Sequence, residues 1–476
     1  MRNVAIVGFG QSKHRAKRRD VNIAELLYEA VQDAFDRTGL TPDDIDAIVF
    51  GNMHTFEGVN QPELWAAPWI AALNKPVLRV ATGGTTGGTV AQAGYYSVAS
   101  GMFDTVMSVA FEKQSDGNTQ LGLAAIVLPE AQAMMRWSPS MSIGAAAGGG
   151  STGGASFQAQ SYCHKSGATQ EHLALEVVKN RRNAAKNPYA HLRMPNLTVE
   201  DVMNTPMISY PLRYGHTCPA SDGSAALIFT TGKKARKICD RPAFVLGVGS
   251  CATDPTLNPL GAATTDPSEQ LAAKLAAKWA YQKAGITNPQ KEIDYAEIYD
   301  PFAHQEMMWS ERLGLFDENK GPEALKNGRT QIDGDMPINA SGGVISTNAI
   351  GATALMRVGE AALQIMGQAG EHQVPKKVNK TVSHGWGGLF QFVCVSVLGS
   401  EPRHPEERAV AVPAAAKPKK AAAKKVKTAG KKKAKPKAKV VSKKKSKAKV
   451  VAKKRPKAKA KSKRAAQGKS KKRAKR

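Results

Sequence analysis

Val77-Leu78-Arg79-Val80-Ala81-Thr82-Gly83-Gly84-Thr85-Thr86-Gly87-Gly88-Thr89-Val90-Ala91 is the stretch that decides how the chain is read. Leu78 to Val80 reads as the end of a strand. Thr89 to Ser100 reads as a helix rich in Ala and other small residues. A strand that turns through glycines onto a helix N-terminus gathers several free backbone N–H groups at one point. Such a point suits an anion or a reacting carbonyl oxygen. A phosphate loop needs Gly-Lys-Ser/Thr after the glycines, and none follows. A nucleophile elbow needs a strong nucleophile in the turn, and none of the usual ones stands there.

Working outward, the phrase around this turn occurs twice. Leu26 to Asp46 reads as a helix, Gly39, an aliphatic residue, a Thr-Pro turn, Ile-Asp and then a strand over Ile45 to Phe50. Leu271 to Asp294 repeats that order, with Gly285 matching Gly39 and Asp294 matching Asp46 after two inserted residues. Asn22 caps the first helix, which ends at Thr38, and Leu26, Ala30, Ala34 and Phe35 share its apolar face. Upstream, the strand Val4 to Val7 matches Ala243 to Val248. Downstream, Asn339 to Met356 is again a glycine-rich turn entering a helix. The order of matched elements predicts a duplicated α/β unit. Its halves span 1–235 and 241–402. The first carries an extra segment near 114–207, a candidate cap over a site. The helix His172 to Ala185 in it, with Arg181, Arg182, Lys186, His191 and Arg193, reads either as a phosphate-binding face or as a solvated one. Gly8-x-Gly10 lacks the third glycine of a dinucleotide fingerprint and reads as a turn after the first strand.

The chain has 476 residues and a formal net charge of +29, but that average misleads. Of the 68 Lys and Arg, 31 lie in 413–476, which holds no Asp or Glu; 1–412 is left with 37 basic residues against 39 acidic ones. A nearly neutral body thus carries a strongly basic Lys/Ala/Pro tail. The tail cannot bury apolar surface and is expected to be disordered. Five scattered cysteines without CxxC spacing argue against a disulfide framework and a zinc site, so no metal is expected. No secretory or membrane-spanning run is present, and the expected location is cytoplasmic.

Four spots carry the chemistry: Gly83 to Gly88, Tyr299-Asp300-Pro301-Phe302-Ala303-His304, Asn339 to Thr353, and Ser383-His384-Gly385-Trp386-Gly387-Gly388. With the duplication, and with Cys218 to Gly223, they resemble the thiolase superfamily in its lipid-transfer-protein branch over about 1–400. The resemblance implies an α/β fold of two βαβαβαββ halves in five αβαβα layers, usually a dimer, acting on coenzyme A thioesters with no covalently bound cofactor. It also implies a nucleophilic Cys, yet that position falls on Gly84. The activating His falls on Asn348 or Ala349, the Asn-Glu-Ala-Phe asparagine on Tyr299, and the second Cys on Gly385, beside His384. Thr85 and Thr86 are poor substitutes without a base.

What the resemblance leaves is an oxyanion hole from the N–H groups of Gly84 and Gly387, at about 3–4 kcal/mol per well-placed donor. Tyr299 and His384 are the candidate proton-transfer groups. Thr85, Asn348 and His304 are near-site candidates, with His304 read as helix surface or a supporting residue. The leading expectation is an enzyme that makes or breaks a C–C bond in an acyl-CoA through an enolate, by aldol or retro-aldol chemistry. One alternative is ordinary thiolase chemistry with another nucleophile. Another is a non-catalytic lipid or acyl-CoA carrier or scaffold tethered to nucleic acid. Cysteine-free members of the branch pair with a small OB-fold/zinc-ribbon (DUF35-type) protein, so that partner is expected too. The tail resembles those of linker histones and is expected to bind DNA or RNA non-specifically by counterion release, at the nucleoid.

Overall fold

The computed structural model describes residues 2–53, 58–117, 119, 150–253, 266–388 and 390–404. The tail lies outside them, as does 120–149 of the expected cap. Among the described residues no helix is long and apolar enough to cross a membrane.

Eleven strands are β1 Val4–Gln11, β2 Ala47–Gly51, β3 Val77–Arg79, β4 Thr105–Lys113, β5 Met207–Ser209, β6 Leu212–Arg213, β7 Asp222–Thr231, β8 Ala243–Ala252, β9 Tyr295–Glu297, β10 Lys380–Gly387 and β11 Phe392–Gly399. Nine of them form one sheet in the order β3-β2-β4-β7-β1-β8-β11-β10-β9. The centre of that order is the antiparallel contact of β1 with β8, where Ala5 faces Phe244 and Ile6 faces Ala243. Outward from it the two sides match step by step. β7 and β4 follow β1 antiparallel, then β2 and β3 parallel. β11 and β10 follow β8 antiparallel, then β9 parallel, then a parallel bridge from Ala296 to Ile338. The duplication legible in sequence is therefore a two-fold repeat of topology.

The helices that position the site are α1 Ile23–Thr38, α2 Pro62–Ala66, α3 Thr86–Ala99, α4 Gly150–Ser166, α5 Gln170–Ala185, α6 Leu271–Ala284, α7 Gln305–Arg312 and α8 Ile350–Met366. Asn22 and Glu25 close a reciprocal cap on α1, and Gly39 ends it at φ +68°. α3 and α8 pack on each other against one face of the sheet. α1 covers β1 and β7 on the other face, and α6 covers β8 and β11. Helices thus cover both faces of one large mixed sheet. α3 begins three residues earlier than the sequence suggests, because Thr85 and Thr86 join the helical turn.

The first strand corrects another expectation. Gly8 and Gly10 lie inside β1 rather than in a turn. A Cβ on Gly10 would stand 2.1 Å from the Ala30 carbonyl oxygen of α1. Gly247 and Gly249 in β8 do the same work against α6, with would-be Cβ distances of 2.2 Å to Ala280 O and 2.0 Å to Ala276 O. Each outer helix thus rides directly on a central strand's backbone. Substitution Gly249→Ala is expected to lower stability by about 3 kcal/mol through overpacking. Gly285→Ala, at φ +71° with open space around it, should cost only about 1 kcal/mol. Urea denaturation of both variants checks the ranking, and equal costs would remove close approach as the reason for the glycine.

Candidate active site

The turn before α3 is closed by its own hydroxyls. Thr85 Oγ1 donates to the Thr82 carbonyl at 2.5 Å, and Thr86 Oγ1 donates to Gly83 O at 2.6 Å while accepting from Thr82 N–H at 2.9 Å. Gly83 takes φ +61° to make the turn. Neither threonine is paired with a base, so neither is activated as a nucleophile. Gly84 meets the end of β10 from the other half. A Cβ on Gly84 would lie 2.8 Å from Trp386 O; one on Gly387 would lie 2.5 Å from Gly84 N and 2.7 Å from Thr85 N. The two backbones touch, and neither position has room for a side chain.

Tyr299 sits just past β9, fully buried, in a small apolar group with Val344, Ala354, Cys218 and Trp386. Trp386 links it to the turn: its carbonyl abuts Gly84, its ring stands edge-on to Tyr299 at 5.9 Å, and its Nε1–H donates to Tyr299 O at 3.0 Å. The Tyr299 hydroxyl lies 3.5 Å from Asn348 Oδ1 and 3.4 Å from Ile350 O, both long contacts. Asn348 is the hub. Its Oδ1 also accepts from Thr353 Oγ1 at 3.1 Å, and its Nδ2 donates to Cys218 Sγ at 3.2 Å. Gln114 and Ser221 hold its backbone. Burial, then the Cys218 sulfur beside it, pushes the Tyr299 phenol well above its ordinary range. Burial pushes the Cys218 thiol up to about 12. Both are neutral at physiological pH, so Tyr299 is a proton donor at rest and Cys218 is a thiol.

His384 does not join them. Alternation along β10 sends Gly385 and Gly387 toward Ala354 and Gly84, and His384 to the other face. There its ring packs 4.8 Å from Trp309. Its Nδ1 accepts the Tyr299 backbone N–H at 3.4 Å, not the phenol proton. Burial lowers it to about 3, so it is a neutral imidazole with the proton on Nε2. A proton-transfer role for His384 at this turn is thereby corrected to support of the Tyr299 backbone. His304 is not helix surface either: it is fully buried, with Nε2 2.9 Å from Gln158 Oε1.

The helix read either as a phosphate-binding face or as a solvated one is largely buried. Arg181 donates to the Gly215 and Thr217 carbonyls, both at 3.3 Å, Arg182 to Leu197 O, and His191 bonds Ser221. Arg181 and His191 thereby tie this part of the chain to residues 215–221; Arg182, Lys186 and Arg193 are exposed, with Arg193 donating to Ala185 O. α5 also brings Glu176 to Asp300 and Glu306, with carboxylate oxygens within 4.8 Å of one another. The Asn180 amide donates to all three, and Lys179 pairs with Glu306. Lys179 and Asn180 thus already supply that cluster with a positive charge and N–H donors from the protein itself.

Sequence reasoning named Asn348 as a near-site residue but not as the hub, and it missed Trp386 as the link and Glu176 beside Asp300. Trp386 had a signal, the aromatic residue between Gly385 and Gly387. The comparisons with known proteins bear on the family and the fold. Residues 4–194 match the thiolase N-terminal domain and 261–400 the thiolase C-terminal domain-like family. The chain is 30% identical over 404 residues to an acetyl-CoA acetyltransferase of Methanothermobacter thermautotrophicus, covering 84% of this chain and 100% of that one. It is 27% identical over 344 residues to a 17-hydroxy-3-oxo-4-pregnene-20-carboxyl-CoA lyase of Mycobacterium tuberculosis, covering 71% and 86%. Among solved structures, an Ltp2–ChsH2(DUF35) aldolase superposes with a TM-score of 0.67 at 23% identity, covering 85% of this chain and 98% of that one. Matches to thiolase domains over both halves, with a relative 30% identical along its whole length, show that the chain belongs to the thiolase superfamily.

Proposed function

We propose that this protein makes or breaks a C–C bond in a coenzyme A thioester through an oxyanion-stabilised enolate, without an acyl-enzyme on cysteine. The observation that carries the reading is the contact of Gly84 with Gly387, which leaves backbone N–H groups and no room for a nucleophile. In this reading those two N–H groups receive the thioester oxygen as charge develops on it. Tyr299 serves the proton transfers. In a retro-aldol cleavage the neutral phenol gives its proton to the α-carbon as the Cα–Cβ bond breaks with enolate character, and it takes the β-hydroxyl proton in the same event. It begins and ends neutral, the state burial favours. The names of the acetyltransferase and lyase relatives support a CoA-ester substrate and bond change next to the thioester. The aldolase title supports a DUF35-type partner. The sheet edge at β3, with Val77 and Leu78 exposed, supports a homodimer.

A second reading has a specific observation behind it. The locked Thr85 and neutral His384 leave little reactive chemistry, which suits an acyl-CoA carrier. Turnover of a 3-hydroxyacyl-CoA against a 3-ketoacyl-CoA, with and without the partner, separates the readings; a carrier turns over neither. For the enzyme, Tyr299→Phe is expected to lower turnover about 100-fold while CoA-ester binding changes by less than about twofold. Unchanged turnover would remove Tyr299 from the chemistry. Iodoacetamide at neutral pH should leave activity intact, because the buried Cys218 stays a thiol. Inactivation that substrate prevents would sink the cysteine-free route.

The 31 cations of 413–476, without an acidic residue or an aromatic one, support non-specific binding to DNA or RNA in the cytoplasm. Deletion of 413–476 should abolish a steeply salt-dependent shift of duplex DNA in a gel. A truncated body that shifts DNA equally well would assign the binding elsewhere.

A further inference from the structure

Tyr299 is followed by Asp300, and Asp300 is held by a helix of the inserted segment. Asp300 Oδ1 accepts the Val344 N–H at 2.6 Å, and Val344 packs against Tyr299. Asp300 Oδ2 faces Asn180 at 2.9 Å and bonds the Glu176 carboxyl. Glu176 Oε1 accepts from Asn180 at 2.6 Å, while its fully buried Oε2 receives no donor among the described residues. Around the pair stand Lys179 and Asn180 from α5, Glu306 from α7, Asn339, which reaches Glu306 at 3.4 Å, and Arg357 of α8, committed to Glu297. Three carboxyl groups therefore face two cations in a dry site, the Lys179 ammonium and the buried Arg181 guanidinium that acts on Glu176. Three ionised carboxylates there would leave one uncompensated charge, so one proton stays. Glu176 Oε2, the oxygen without a donor, is its place. Burial and the neighbouring carboxylates raise Glu176 well above the ordinary carboxylate range, and raise Asp300 to about 7.

We propose that Glu176 is a positioning residue for Tyr299: its carboxylic acid donates to the Asp300 carboxylate, which fixes both the peptide after Tyr299 and the Val344 turn packed on the phenol ring. The inserted segment thereby sets the aim of a proton donor that belongs to the other half of the chain. This rests on the reading of Tyr299 as the proton-transfer group. The shared proton is present at low and neutral pH and is lost as pH rises, because both groups are raised. Its loss places two like charges side by side and loosens the Tyr299 loop.

The test reads exchange of the α-protons of acetyl-CoA in D2O by proton NMR, in the full-length protein. Glu176→Gln keeps a permanent donor and should hold the saturated rate within about threefold, whereas Glu176→Ala should lower it about tenfold with half-saturation changed less than about twofold. The alkaline decline due to this pair should be absent in Glu176→Gln. In a Tyr299→Phe background, Glu176→Ala should cost nothing further. Equal losses in both Glu176 variants, or additive losses with Tyr299→Phe, would overturn the inference. If Tyr299→Phe alone leaves exchange unchanged, it is the functional reading that has failed. The infrared carbonyl band of a buried carboxylic acid then decides the pair independently: present at neutral pH and missing in Glu176→Gln if Glu176 holds the proton, present in both if it does not. That measurement also serves if Glu176→Ala does not fold.

Discussion

The rest of the site depends on one steric fact, the contact between the Gly84 and Gly387 backbones. It joins the N-terminus of α3 to the last residue of β10, which belong to different halves of the chain. The neighbouring glycines make the same joint tighter. A Cβ on Gly87 would stand 2.4 Å from Leu355 N in α8, and one on Gly88 would stand 2.1 Å from the Cys394 sulfur. Each glycine of the turn thus answers to a different neighbour. Close packing accounts for most of their number. This also explains why the turn lacks a nucleophile: a cysteine at Gly84 collides with Trp386 O unless β10 withdraws.

Around that joint the electrostatics are arranged to keep groups neutral. Tyr299, Cys218 and His384 are all driven to their uncharged forms by burial. Charge is confined to a layer beneath, where Arg357 pairs with Glu297, and His372 with Glu360. There the low dielectric is tolerable because each ion has a partner.

Much of the fold was legible because it is written locally. Asn22 with Glu25, Gly39 and the Thr-Pro turns mark boundaries within a few residues, and their recurrence exposes the duplication. That Gly84 lies near Gly387, and Tyr299 near Asn348, was legible because the family resemblance fixes their order. Their contacts were not. His384 was misread because the strand's parity decides which face it takes, and adjacency to Gly385 in sequence places it opposite in space. Gly8-x-Gly10 was read as a turn because glycine supplies both loop freedom and close approach, and sequence cannot separate them. Glu176 was invisible because its partner Asp300 stands 124 residues away, on an element the cap helix meets only after folding. The tail's reading rests on composition alone.

The paired Gly-x-Gly strands have a consequence for how the protein tolerates change. α1 and α6 lie on β1 and β8 with backbone against backbone, and α6 meets β8 through Ala272, Ala273, Ala276, Ala277 and Ala280. Such an interface has no long side chains to repack, so it absorbs almost no substitution. In a saturation mutagenesis map, the most intolerant positions outside the site will then fall in two matched bands on the central strands. Those bands would report the thickness of the layers rather than the chemistry, and sensitivity alone would mislead a search for catalytic residues.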